Sequence, residues 1–150
     1  FIISFTWSAT TVLLPLIKTG QTYETTHVIL MLIERFVFVF AITIPFDIRD
    51  MEADRAANTK TIPLLLGEKR SMLISYACIL IFLTISLFHY NILNQGFIAM
   101  AMTISAISTF LFLRWDTAKQ YALYHYAILD GTIILQGLLV IGFSYLKYFM

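Results

Sequence analysis

Residues 46–67 read FDIRDMEADRAANTKTIPLLLG. Three aspartates, a glutamate, two arginines and a lysine crowd into this stretch, in a chain that is 59% hydrophobic and 13% charged. On both sides the sequence returns at once to apolar residues, at 27–46 before it and 71–90 after it. A helix that crosses a bilayer needs about 20 mostly apolar residues, and both flanking runs meet that length. The runs at 1–17, 96–113 and about 121–146 meet it or nearly do. Soluble domains are about 45–50% apolar, so the composition and the mean hydropathy of +0.82 agree with five spans. Lipid leaves only helices and closed barrels as spanning structures. The runs are too long and alternate too weakly for barrel strands. The expected fold is therefore all-α, a multi-span transmembrane bundle of about five helices in one domain.

Orientation comes from the short loops, since Lys and Arg stay on the cytoplasmic side. Arg49, Arg55, Lys60, Lys69 and Arg70 lie between the second and third runs, and Arg114 and Lys119 between the fourth and fifth. Alternation puts all seven on one side, against Lys18 and Lys147 on the other. The charged stretch is thus expected on the cytoplasmic face of an integral membrane protein, in the cell (inner) membrane. The chain opens Phe-Ile-Ile, with no initiator Met and no charged leader region. The first run reads as a span entered partway, and the chain as a fragment. The net charge of +1 and the lack of a basic patch interleaved with aromatics point away from nucleic acid. The single cysteine, Cys78, lies in an apolar run and reads as a small packed hydrophobe.

On a helix at 100° per residue, Asp47, Asp50 and Asp54 fall within about 60° of one another. Glu52 and Arg49 point roughly the other way. Three carboxylates on one face repel unless a cation lies between them, and hard oxygen ligands suit Mg²⁺, which often bridges one or two carboxylates to a phosphate. Arg55 and Lys60, downstream, are placed to neutralise phosphate oxygens. A solvated juxtamembrane loop explains the same charges without any ligand, and spacing alone leaves both readings open.

Other polar residues lie inside the apolar runs. Glu34 and Arg35 sit near the middle of the second, where ionisable groups are costly and face the bundle interior. Neighbours on a helix point about 100° apart, so each is expected to find its partner on another helix. Asp130, Gly131 and Gln136 lie in the fifth. These residues either lock helices together or line a polar path, the latter making the chain a non-catalytic transport or scaffold segment. Tyr121, Tyr124, His125 and Tyr126 read as an interfacial aromatic belt, with His27 and His89 near the opposite interface. No His/Cys/Glu set has zinc-ligand spacing.

Asp47-X-X-Asp50-X-X-X-Asp54, followed by Asn58-Thr-Lys60-Thr61-Ile-Pro63-Leu-Leu-Leu-Gly67, resembles the second aspartate-rich motif of the UbiA superfamily of intramembrane prenyltransferases. That motif combines the same acidic spacing with a basic residue, Thr, a hydrophobic residue, Pro and a later Gly. In the family it lies in the cytoplasmic loop between the sixth and seventh of about nine helices. The resemblance implies that residues 1–150 form the C-terminal half of such a membrane domain. It implies Mg²⁺ held by Asp47, Asp50 and Asp54 as catalytic and metal-binding residues, and donor diphosphate contacted by Lys60, with Arg55 a further candidate. The implied activity is Mg-dependent transfer of an isoprenyl group from an isoprenyl diphosphate to a hydrophobic acceptor, aromatic or lipid, within the membrane. The family's first acidic motif, between its second and third helices, has no counterpart here. Before Asp47 the only acidic residues are Glu24 and Glu34, so the fragment by itself is expected to be inactive.

Overall fold

The computed structural model describes residues 2–20, 24–115 and 123–149, the side chains at 126 and 147–149 excepted. Lys119 and Tyr121 lie outside the described residues, as do the side chains of Tyr126 and Lys147. The described residues hold no strand. There are five long helices, in order α1 (Ile2–Thr19), α2 (Thr25–Arg49), α5 (Glu68–Ile92), α6 (Gly96–Arg114) and α7 (Asp130–Phe149), with the short α3 (Met51–Ala56) and α4 (Ile62–Leu66) between α2 and α5. All five are long and apolar enough to cross a membrane, the last taken over Ala127–Leu146. Residues Tyr124–Leu129 form a π-helical turn that runs into α7, where one helix was expected. The wider turn shifts the register of α7 relative to the residues before it, as single π turns do at functional sites.

Consecutive spans pack on one another, α1 on α2, α2 on α5, α5 on α6 and α6 on α7. Their burial pattern is that of a protein whose solvent is lipid. Ser4, Ser8, Ser71, Ser75, Ser86, Ser105 and Thr109 are buried, together with Ala41, Ala101 and Ala106, while Ile2, Phe5, Leu73, Leu80 and Ile134 face outward. Without water to drive large apolar side chains inward, small residues take the contacts because they let backbones approach. Larger groups fill the remaining space, as where the Phe38 and Phe82 rings meet at 4.9 Å.

One contact sets the end of α2. Pro45 lies inside the helix and has no N–H, so the Ala41 carbonyl loses its i+4 donor. The Ser75 hydroxyl of α5 donates to that carbonyl at 2.6 Å. In hydrocarbon this repair is how a proline is tolerated within a span. It also ties α5 to α2 just before Asp47.

Candidate functional site

Asp50 is at once the last cap of α2 and the first of α3. Its N–H donates to the Phe46 carbonyl at 3.0 Å, and Asp54 N–H donates to the Asp50 carbonyl at 2.9 Å. One bond closes α2 and the other opens α3, so the helix is interrupted at Asp50 and the three aspartates straddle the junction. The carboxylates of Asp54 and Asp50 both act on Asp47, which is half-buried. Asp50 is held by its neighbour: Arg49 donates from Nε at 2.7 Å and from a terminal nitrogen at 2.8 Å. That bidentate contact holds the Asp50 carboxyl below the usual carboxylate range.

The chain then turns back. Asn58 has φ +53°, a left-handed conformation that asparagine tolerates better than other non-glycine residues. Thr59 N–H donates to the Asp54 carbonyl at 2.9 Å and Asn58 N–H to the Arg55 carbonyl at 3.3 Å, the double closure of a Schellman cap. This cap directs Thr59–Thr61 back toward the bundle, where α4 packs against α2 and α5. Pro63, buried in the first turn of α4, and Gly67, with φ +80°, fix the re-entry. Arg55 and Lys60 remain exposed and, among the described residues, form no ion pair.

The carboxylates stand at one end of a cavity of about 610 Å³ between α1, α2 and α7. Asp47, Asp50 and Asp130 supply its acidic groups; Trp7, Ile42, Phe46, Ile133 and Ile134 make much of its apolar wall. Asp130, read from sequence beside Glu34 and Arg35, thus joins the aspartate site. Its placement depends on the π turn ahead of it, which no hydrophobic periodicity announces. Burial and the Arg49 charge hold the imidazole of His125 below its ordinary value. His125 meets Phe46 edge-on at 5.3 Å.

Among the described residues no three His, Cys, Asp or Glu side chains form a ready cage for a metal ion. Mg²⁺ does not need one, since it keeps several waters and takes one or two carboxylates with phosphate oxygens. Asp47 faces two further carboxylates, and the Arg49 guanidinium is bonded to Asp50. Oxygen donors with unbalanced negative charge fit a hard divalent cation.

Glu34 and Arg35 find their partners on other helices, as expected. Glu34, 2% exposed, meets Nδ1 of the buried His89 at 2.7 Å, and Arg35 donates to the Gln136 side-chain carbonyl. His89 is therefore not an interfacial residue but the partner of a mid-span carboxylate, a pairing that an isolated histidine at a run's end does not signal. Tyr124 also departs from the aromatic-belt reading. It is 1% exposed and its hydroxyl donates to the Phe112 carbonyl at 2.8 Å, locking the π turn onto α6. Asp130 lines the aspartate cavity, whereas Arg35 and His89 line a separate one, so these residues do not mark one polar path.

Among known families, the model described as the UbiA prenyltransferase family matches residues 1–128. No curated protein and no solved structure was found to match the chain.

Proposed function

The chain belongs to the UbiA prenyltransferase family, and from that premise we propose that it takes part in Mg-dependent transfer of an isoprenyl group from an isoprenyl diphosphate to an aromatic or lipid acceptor. The observation that supports this reading is the cavity lined by Asp47, Asp50 and Asp130 and otherwise mostly by apolar side chains, with Asp54 outside its lining but close enough to act on Asp47. The two kinds of lining match the two ends of an isoprenyl diphosphate.

In this reading Asp47, Asp50 and Asp54 hold Mg²⁺, which when bound offsets charge on the departing diphosphate. Lys60 and, secondarily, Arg55 contact diphosphate oxygens from the turn that Asn58 directs. The bond between the allylic carbon and its oxygen breaks, and its electron pair leaves with the diphosphate. The carbon joins the acceptor, which gives up a proton. Ile42, Ile133, Ile134 and Trp7 take the prenyl chain and keep water from the cation-like carbon, which would otherwise be hydrolysed. Residues 1–150 supply the C-terminal half of the membrane domain, in the cell (inner) membrane, with the aspartate-rich turn on the cytoplasmic side.

The test is diphosphate release from geranylgeranyl diphosphate by the full-length protein in proteoliposomes, with membrane extract supplying the acceptor. Release that requires Mg²⁺ and disappears in Asp47→Asn and in Asp50→Asn is expected. An active Asp47→Asn/Asp50→Asn double variant would overturn the catalytic assignment.

A further inference from the structure

The aspartate cavity has carboxylates on two of its walls. Asp47 lies on α2 and Asp50 at its C-terminal cap, whereas Asp130 lies on α7. Residues three and four apart share a helix face, so Asp130 stands over Ile133 and Ile134, and all three line the cavity. The α7 carboxylate is thus one helical turn from the apolar wall.

Its neighbours in sequence hold it there. The π turn rests on α2 where the His125 ring meets Phe46, the residue before Asp47. Leu129 is fully buried, and the buried Thr132 donates its hydroxyl to the Leu129 carbonyl at 2.6 Å. Asp130 between them is exposed. Its N–H donates to the His125 carbonyl, so the backbone runs on as helix and the carboxylate caps no free end. Among the described residues that carboxylate has no ion pair and no hydrogen bond.

Nor does Asp130 belong with the ion-holding aspartates. Asp50 and Asp54 act on Asp47, but Asp130 is not among the charges that act on Asp47 or Asp50. Among the described residues it completes no cage of three metal-binding side chains. What prenyl transfer still needs is a place for a proton, since the acceptor loses one for each prenyl group it gains. In the reading above Asp47, Asp50 and Asp54 hold the ion, and Lys60 and Arg55 bring donors and no acceptor. His125 does not line the cavity. Asp130 is the carboxylate left to accept.

We propose that Asp130 is the base of the transfer, one of its carboxylate oxygens taking the proton from the acceptor atom that attacks the allylic carbon. The allylic carbon–oxygen bond breaks and its pair leaves with the diphosphate. An electron pair of the acceptor forms the new bond to carbon. The pair of its former bond to hydrogen stays on the acceptor, and the proton rests on Asp130 until water or the departing diphosphate takes it. The assignment rests on the prenyl-transfer reading of this cavity and extends it to the acceptor side.

The test follows radiolabelled geranylgeranyl diphosphate in proteoliposomes of the full-length protein, with membrane extract supplying the acceptor. Label is counted separately in prenylated product and in geranylgeraniol, the product of capture by water. Asp130→Asn keeps the shape of the side chain and should lower prenylated product at least about a hundredfold, the lower end for a lost general base. Diphosphate release should fall less, the difference appearing as geranylgeraniol. Mg²⁺-dependent binding of a non-hydrolysable geranylgeranyl diphosphate analogue should be unchanged in this variant. Formate should restore part of the product to Asp130→Ala. Parental levels of product in Asp130→Asn, or an unchanged ratio of product to geranylgeraniol, would overturn the base. Loss of analogue binding in Asp130→Asn would put Asp130 with the ion and overturn it equally. A parent protein that forms no product and binds the analogue without Mg²⁺ would instead refute the prenyl-transfer reading, and this assignment with it.

Discussion

Replacing Ser75 with alanine removes one hydroxyl, and the bundle gives an unusual way to assign its cost. Ser75 is fully buried and donates at 2.6 Å to a carbonyl that Pro45 deprives of its helical donor. An ordinary hydrogen bond between membrane helices averages about 0.6 kcal/mol and reaches about 1.7 kcal/mol, because separated helices find other partners. Here the folded helix offers the Ala41 carbonyl no substitute N–H. The desolvation cost of an orphaned acceptor, about 1–3 kcal/mol, therefore applies, and Ser75→Ala should cost about 1–2 kcal/mol. In a Pro45→Ala background the helix regains the missing N–H, and Ser75→Ala should then cost less than about 0.5 kcal/mol. Reversible unfolding in mixed micelles of mild detergent and SDS measures all four proteins of this cycle. Equal costs of Ser75→Ala in both backgrounds would refute the idea that the Ser75 hydroxyl repairs the break at Pro45.

The same geometry sets three other outcomes. Because Glu34 and His89 are buried against each other, His89→Phe should cost about 3 kcal/mol by stranding a carboxylate. Glu34→Leu/His89→Phe together should cost less than the sum of the two single changes, read by the same unfolding titration. Asn58→Val places a β-branched residue at φ +53° and should destabilise the turn by about 1–2 kcal/mol, seen as faster amide exchange over residues 54–61, while Asn58→Gly is tolerated. If Lys60 contacts diphosphate oxygens rather than the ion, as proposed, Lys60→Ala should raise the KM for the isoprenyl diphosphate several-fold while leaving the Mg²⁺ requirement intact.

Much of this was legible in the sequence because lipid imposes simple rules. Run length gave the five spans, and the 3.6-residue period gathers Asp47, Asp50 and Asp54, which stay close enough for Asp50 and Asp54 to act on Asp47 although the helix breaks at Asp50. The 100° offset of Glu34 and Arg35 gave separate partners, and they have them on α5 and α7. What stayed hidden depends on how helices approach. Asp130 reaches the aspartate cavity only after a π turn at Tyr124–Leu129, and six residues are too few for its wider period to show in the sequence. His89 and Tyr124 sit near the ends of runs, where sequence cannot separate an interfacial side chain from a buried one. The pairing of Pro45 with Ser75 joins residues 30 positions apart, and neither alone announces the other.

Equilibrium binding of a non-hydrolysable geranylgeranyl diphosphate analogue to the full-length protein in detergent, with and without Mg²⁺, tests the central claim most directly. If the aspartates hold the diphosphate through Mg²⁺, binding requires the ion and is lost in Asp47→Asn/Asp50→Asn, on a fold that melts no lower than the parent. Binding indifferent both to Mg²⁺ and to the two aspartates would contradict that claim and leave FDIRDMEAD a charged turn with no diphosphate to hold.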